Sequence, residues 1–163
     1  HGTGKVPKEK CHDCRGVGVL EKREEIHIEV PAGISNGEMI RMSNMGEAVP
    51  AGQSGDLYIK INVQTDKVWK REGNDLVIKH SIKLSDALLG AKHIVPGLDG
   101  DITVDVIPGA SAGEILRVKG RGVPHIHEKG KRGDVLIKID IVMPKKLSKK
   151  AMKLVEDLKE EGL

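Results

Sequence analysis

Two parts of this chain share the same alternation of apolar and polar residues. The alternating apolar positions are Ile26, Ile28 and Val30 in the first part and Ile102, Val104 and Val106 in the second. Each is followed by another alternating run, at residues 57–63 and 135–141. A period of two with many β-branched residues is typical of strands that bury one face. The pattern therefore predicts a mainly β protein.

The two parts are copies of one another. Residues Gly33, Gly37, Arg41 and Gly46 recur 76 positions later as Gly109, Gly113, Arg117 and Gly122. After a loop of different length the spacing becomes 78, which aligns Gly55-Asp56 with Gly133-Asp134. Because register holds on both sides of a small insertion, we predict two similar, β-sandwich-like domains in tandem. The repeated glycines fit turns that require positive φ.

The first copy has no counterpart to the segment that precedes the second. That segment reads as a strand from Leu76 to Ile82, a one-turn helix capped by Ser85, and a strand from His93 to Val95. Residues 1–20, rich in Gly, Lys and Cys, stand in its place before the first copy. We therefore expect the first domain to be truncated, with its front half upstream of this sequence.

The last twenty residues change from strand to helix periodicity. Pro144 ends the sheet and Ser148 is a good N-cap. An apolar stripe at helical spacing follows, formed by Ala151, Leu154, Val155 and Leu158. A short isolated helix is marginal in water, so this stripe needs a cover. Either the second domain or a second copy of the chain would supply it.

Composition narrows the range of functions. The 163 residues carry a net charge of +3 with acidic and basic residues interleaved, which is typical of a solvated surface rather than a nucleic-acid-binding face. One Trp, one Tyr and no Phe leave an aliphatic core. No apolar run is long enough to span a membrane, and no catalytic constellation is visible in the sequence. We therefore expect a binding protein, not an enzyme.

Cys11 and Cys14 form the one group with distinctive chemistry. Two cysteines three positions apart, followed by Gly16 and Gly18, are typical of a zinc knuckle. Structural zinc takes four ligands, so this pair is half of a site. A thioredoxin-like redox pair is the rival interpretation and requires Cys11 at a helix N-terminus. The third interpretation is that the two residues are incidental surface cysteines.

Several motifs together resemble the DnaJ family of heat-shock co-chaperones, in the class with a cysteine-rich zinc domain. The Cys-x-x-Cys-x-Gly-x-Gly run at 11–18 is similar to that domain's repeated motif, and His1-Gly2-Thr3-Gly4 is similar to the tail of a preceding one. Further similar segments are Val30-Pro31-Ala32-Gly33, Gly55-Asp56-Leu57, the run from Trp69 to Leu76, and the run from Leu84 to Gly100. The J domain and its His-Pro-Asp motif are missing from this sequence.

The resemblance implies a set of partners and sites. Zinc would bind Cys11 and Cys14 together with a Cys pair upstream, so the site is incomplete in this sequence. Unfolded polypeptides would bind a shallow apolar groove, with Ile26, Ile28, Met42 and Ile59 as candidates, and be delivered to a DnaK-type ATPase chaperone. The C-terminal stripe would form a homodimer. The resemblance also implies a cytoplasmic protein that binds neither nucleic acid nor membrane.

These inferences divide the chain into four segments. Residues 1–22 are a remnant of the zinc region, 23–65 the back half of the first β domain, 66–143 the second β domain, and 144–163 the dimerisation helix. Two other functions stay open at this point. One is a zinc-knuckle nucleic-acid-binding module, and the other is a thiol–disulfide oxidoreductase that uses Cys11 and Cys14.

Overall fold

The chain divides into two units, each built mainly of β-strands. The computed structural model describes residue 9, residues 11–50 and residues 52–162. The first unit is His1–Gln64 and the second is Thr65–Leu163. The predicted mainly β class is confirmed. None of the helices in the described ranges has the length and apolarity that crossing a membrane requires.

The described part of the second unit contains six strands and two helices. Its elements are β3 (Trp69–Glu72), β4 (Asp75–Lys83), α1 (Leu84–Leu89), β5 (Ala91–Val95), β6 (Ile102–Val106), β7 (Ile115–Val118), β8 (Val135–Val142) and α2 (Lys149–Glu160). One sheet has the order β3-β4-β8-β7, and β5 pairs with β6 in a separate two-stranded sheet. The core lies between inward-facing residues of these two sheets, with Ala87 of α1.

Strand β8 is the centre of this unit. It pairs in parallel with β4 from Leu76↔Val135 to Lys83↔Val142, and antiparallel with β7. Because β8 is paired on both sides, its inward-facing residues are almost fully buried: Val135, Ile137 and Ile139 are at most 1% exposed. Burying an isoleucine to that degree stabilises the fold by roughly 1.5–3 kcal/mol.

Most sequence predictions for the second unit are confirmed, and one is wrong. The strands predicted within 76–82, 93–95, 102–106 and 135–141 are all present. Ser85, however, does not cap α1, because Lys83 occupies the N-cap position and makes no side-chain cap. The short helix is instead anchored at buried Ala87, whose carbonyl accepts from the backbone N–H groups of Gly109 (2.8 Å) and Ala110 (3.1 Å).

The described part of the first unit contains one hairpin, formed by β1 (Met39–Met42) and β2 (Leu57–Lys60). None of its described residues is buried. The strand predicted at Ile26, Ile28 and Val30 is wrong, because residues 19–38 form no strand. Its counterpart β6 pairs with β5, and the described part of the first unit contains no equivalent of β5. Likewise, β2 stops at Lys60, short of the predicted Ile61 and Val63.

The hairpins of the two units share their hydrogen bonds. Gly37 N–H donates to the carbonyl of Ile61 at 2.8 Å, as Gly113 does to Ile139 at 2.8 Å. At the other end, Gly46 N–H donates to Gly55 at 2.7 Å and Gly122 to Gly133 at 2.8 Å. The sequence repeat is therefore a repeat of backbone geometry.

The two hairpins differ in what lies beside their second strand. In the second unit, the chain at Asn74 passes so close that a Cβ added to Gly133 would lie 1.9 Å from the Asn74 carbonyl oxygen. A Cβ added to Gly55, the equivalent position, would meet nothing within 4 Å. The first unit thus lacks, among its described residues, the strand that closes the second.

Helix α2 begins as the sequence predicts. The backbone N–H of Ala151 donates to Ser148 Oγ at 3.1 Å, which caps the helix. No residue of α2 is buried, and Leu154, Val155 and Leu158 are 55%, 48% and 40% exposed. The apolar stripe is therefore uncovered within the described chain.

One polar contact joins the two sheets of the second unit. His80 of β4 and His93 of β5 lie with Nε2 and Nδ1 3.2 Å apart. Both belong to the inward-facing set of their strands, among Ile78, Ile82 and Val95. Burial, and to a smaller degree the neighbouring His93, lower the pKa of His80. The folded state therefore disfavours a charge at this contact.

We predict that Gly133→Ala lowers the free energy of unfolding of the second unit by about 3 kcal/mol, because its methyl group would collide with backbone and not with a flexible side chain. Denaturant unfolding measures the loss of stability. The fluorescence of Trp69 reports the transition, because it is the chain's one tryptophan and packs against this core. Gly55→Ala is the matched control and should leave the amide exchange of β2 unchanged.

The matched control should change its behaviour in a longer chain. If an upstream extension supplies the missing strand, Gly55→Ala should become as costly as Gly133→Ala. An extended chain in which Gly55→Ala stays neutral would show that the first unit closes in a different way.

We also predict that the stability of the second unit depends on His80 between pH 8 and pH 5. Because the folded pKa is lowered, the unfolded chain binds more protons, so stability is full above the ordinary histidine pKa of about 6.5 and falls as the pH drops through the folded value. Urea unfolding of the His80→Leu variant should show a flatter pH profile. Exposed His127→Gln is the control, and an unchanged slope in His80→Leu would contradict the prediction.

Candidate functional site

Two of the four candidate polypeptide-binding residues lie on the hairpin of the first unit, and two lie in the segment before it. Met42 and Ile59 are half-buried on the same face of the β1–β2 hairpin, where Ile40 and Leu57 are their cross-strand neighbours. Ile26 is half-buried and Ile28 is 38% exposed, both in the irregular segment before the hairpin. Their role in polypeptide binding stays a prediction.

The repeat gives each of these residues a counterpart in the second unit. The counterparts of Ile26, Ile28, Met42 and Ile59 are Ile102, Val104, Val118 and Ile137. Ile102, Val104 and Ile137 are buried, and Val118 packs against the same core. A closed first unit would therefore use these four positions as core, and the chain described here leaves them partly open. Sequence reasoning did not make this comparison, although the repeat contains it.

A groove of about 880 Å³ lies within the first unit. Leu20, Ile26, Met45 and Ala48 provide much of its apolar lining, and Glu21, Lys22, Glu24 and Glu47 add charged groups. Leu20 and Met45 are exposed. A lining that is part apolar and part polar, with more acidic than basic groups, suits a short segment of another chain that offers both apolar and polar groups. Of the four predicted residues only Ile26 lines this groove, and sequence reasoning missed Leu20 and Met45.

An arginine–aspartate pair braces the loop after the first strand of each hairpin. Arg41 Nε donates to Asp56 Oδ2 at 2.8 Å, and Asn44 N–H donates to Oδ1 of the same carboxylate at 3.0 Å. Arg117 and the N–H of Gly120 contact Asp134 in the same way. The Gly120 N–H, followed by Arg117, lowers the pKa of Asp134. These pairs hold loop geometry and face no candidate ligand.

The turn at Cys11–Gly18 brings two thiols to one side of a short loop. Arg15 N–H donates to the Cys11 carbonyl at 2.8 Å, and Val17 N–H to the Cys14 carbonyl at 2.9 Å. Arg15 and Gly16 take φ of 50° and 90°. Backbone N–H groups of Gly18 and then Gly16, together with the Cys11 thiol, lower the pKa of Cys14. This favours the thiolate, which is the form that binds metal.

The turn fits half of a tetrahedral zinc site. It supplies two soft ligands, and the described residues contain no group of three or more His, Cys, Asp or Glu side chains placed to hold a metal. The redox interpretation lacks its structural context, because no described helix begins at Cys11. The tail-like sequence at His1–Gly4, which suggested a further motif, lies outside the described residues.

Comparison with known proteins agrees with these features. Residues 4–144 match the family described as the DnaJ C terminal domain. The chain is 43% identical over 161 residues to "Chaperone protein DnaJ" of Leptospira biflexa, and 40% identical over 161 residues to that of Fusobacterium nucleatum subsp. polymorphum. "Chaperone protein DnaJ 2" of Nocardia farcinica is 39% identical over 160 residues.

Each of these alignments covers 98% of this chain but only 41–43% of the relative. The chain thus spans less than half of the relatives' length, and the family match includes the cysteine turn, the hairpin of the first unit and the whole sheet core of the second. The tandem hairpins, the cysteine turn and these similarities lead to one conclusion: the chain belongs to the DnaJ C-terminal domain family.

Proposed function

We propose that this chain is the polypeptide-binding part of a DnaJ-type co-chaperone. The observation that carries the proposal is the open apolar surface of the first unit, in a chain whose family membership is established. Unfolded polypeptides present apolar side chains next to polar backbone and side-chain groups, and such segments match a groove whose lining is part aliphatic and part charged. Delivery of the bound polypeptide to a DnaK-type ATPase chaperone in the cytoplasm belongs to the same proposal, and binding alone requires no catalytic group.

Two modes of contact support polypeptide binding. The groove at Leu20, Ile26 and Met45 offers apolar contact. Strand β2 offers unpaired backbone groups, since its one strand partner in the described range is β1. An extended segment that adds to such an edge gains main-chain hydrogen bonds, while neighbouring side chains set its preference.

Zinc at Cys11 and Cys14 is part of the proposed function as a structural group. The thiolate-favouring turn supports it, and the two further ligands would come from outside the described residues. When bound, zinc would fix the start of the groove wall, because residues 19–22 follow the cysteine turn directly and line the groove.

We expect the groove, rather than the exposed apolar surface in general, to suppress aggregation of an unfolded test protein. The double substitution Leu20→Ser and Met45→Ser removes two exposed groove side chains and should reduce suppression several-fold, without ATP being required. Light scattering during the refolding of a chemically denatured test protein measures the suppression of aggregation.

The control substitutes two equally exposed apolar residues elsewhere, Val68→Ser and Leu98→Ser in loops of the second unit. It should suppress aggregation as well as the parent chain. Circular dichroism should confirm that both variants are folded. If the groove variant protects as well as its control, binding at the groove is excluded.

We further propose that the chain forms a homodimer through α2. The support is the uncovered stripe of Ala151, Leu154, Val155 and Leu158 on a capped helix. Two identical stripes related by a two-fold axis would cover each other. Two binding units joined in this way would hold a long unfolded chain at two points and raise avidity through effective concentration.

Leu154→Lys together with Leu158→Lys should convert the dimer into monomers with intact β units, because four added charges would face each other across the contact. Sedimentation velocity at several protein concentrations measures the mass. The matched control, Glu156→Gln with Glu160→Gln, changes net charge by the same two units on the polar face of α2 and should remain dimeric. A parent chain that sediments as a monomer throughout would refute the dimer.

A further inference from the structure

Three side chains of the second unit form a polar cluster that the proposed chaperone function does not use. His80 lies on β4, Asp86 on α1 and His93 on β5, which are consecutive elements of the chain. His80 Nε2 is 3.2 Å from His93 Nδ1, and the other nitrogen of that ring, His93 Nε2, is 3.4 Å from Asp86 Oδ2. Aliphatic core residues surround the cluster along both strands.

The imidazole nitrogens lie at the spacing of metal ligands. Zinc–nitrogen bonds of 2.0–2.1 Å in a tetrahedral site place two ligand nitrogens about 3.3 Å apart. The observed separation is 3.2 Å. The ring centroids are 5.0 Å apart. If the two rings pointed straight at one another, the centroids would be farther apart than this, because the nitrogen separation and both centroid-to-nitrogen distances would lie along one line. The two rings therefore meet at an angle instead of pointing straight at one another, a bent arrangement that a shared metal ion would also require.

Asp86 stands where a metal-binding histidine has its supporting group. His93 Nε2 is buried and makes no aligned hydrogen bond, although the carboxylate is within reach. A histidine that binds a metal through one nitrogen commonly donates its other ring N–H to a carboxylate, which fixes the tautomer and orientation. With Nε2 protonated toward Asp86, His93 presents the Nδ1 lone pair to His80.

The surrounding strands hold the cluster in place. Strand β4 is paired with β8 from Leu76 to Lys83, and β5 with β6 over its whole length. Lys79 and Lys92, which precede the two histidines, are exposed on the opposite face of their strands, where they contact Asp140 and Asp105 at 3.6 Å and 3.5 Å. The side chains of His93 and Asp86 are 19% and 28% exposed, so the cluster lies at the margin of the core. The described residues supply no third protein ligand here, so water would complete the coordination.

We propose that His80 and His93 bind a divalent transition-metal ion of the class that prefers imidazole ligands, with Asp86 as the positioning residue for His93. Two neutral imidazoles suit zinc, copper and nickel. The site is separate from the cysteine turn, and it joins the four-stranded sheet to the β5–β6 sheet. A bound ion would replace the hydrogen bond between the rings and stabilise the second unit, because it binds the folded state alone.

The test uses Zn²⁺ as the probe and the full chain with Cys11→Ser and Cys14→Ser, which removes the thiol ligands. Calorimetric titration should show one ion per chain, and Zn²⁺ in excess should raise the unfolding temperature reported by Trp69. His80→Gln and His93→Gln should each abolish both effects. Asp86→Asn should weaken binding about tenfold or more, as loss of a supporting carboxylate does. His127→Gln, which changes an exposed histidine, should alter neither.

A second measurement covers variants that fail to fold. In the NMR spectrum of the chain with both cysteines replaced, Zn²⁺ should shift the ring C–H signals of His80 and His93 and leave those of His27 and His127 in place. Absence of Zn²⁺ binding in that chain would overturn the proposal. So would binding that survives in folded His80→Gln, or ring shifts confined to other histidines.

Discussion

The parallel pairing of β4 with β8 is the interaction on which the rest of the structure depends. It places a strand on the second side of a hairpin that otherwise has one open edge. The two units show the effect directly, because the hairpin of the second unit has that strand beside it and the hairpin in the described part of the first unit does not. Ile137 is fully buried, whereas its counterpart Ile59 remains half-exposed although its own hairpin partner is in register. Burial in this fold is therefore decided by the neighbouring strand more than by the local sequence.

This dependence explains what the sequence could and could not predict. Alternating residues at 102–106 and 26–30 carry the same signal, yet only the former are a strand. Period-two alternation reports which residues would face a core, whereas strand formation requires a partner that supplies hydrogen bonds. Strand β3, with the sequence Trp-Lys-Arg-Glu, went unpredicted because charged residues mask its half-buried Trp69. Helix α2 was predictable because its cap and its stripe are local features.

The candidate sites differ in the same way, because one is local in the sequence and the others depend on the tertiary fold. Cys11 and Cys14 are three positions apart, so their spacing alone revealed the turn. The groove brings residues 19–26 next to residues 44–48, and the histidine cluster joins residues 80, 86 and 93, all of which depend on the tertiary fold. One local signal for that cluster existed. Histidines at the inward-facing positions of two otherwise aliphatic strands are an exception to the pattern, and buried polar groups require partners.

The lengths of the strands have a consequence for self-association. In the second unit the outer strands β3 and β7 have four residues each, whereas the inner strands β4 and β8 have nine and eight. Short outer strands expose few unpaired backbone groups and so give other chains little template for edge-to-edge growth. In the described part of the first unit, the hairpin consists of two four-residue strands, each with one open edge. The edge at which a misfolded polypeptide could add is therefore equally open to copies of the chain itself, and its shortness limits both kinds of pairing.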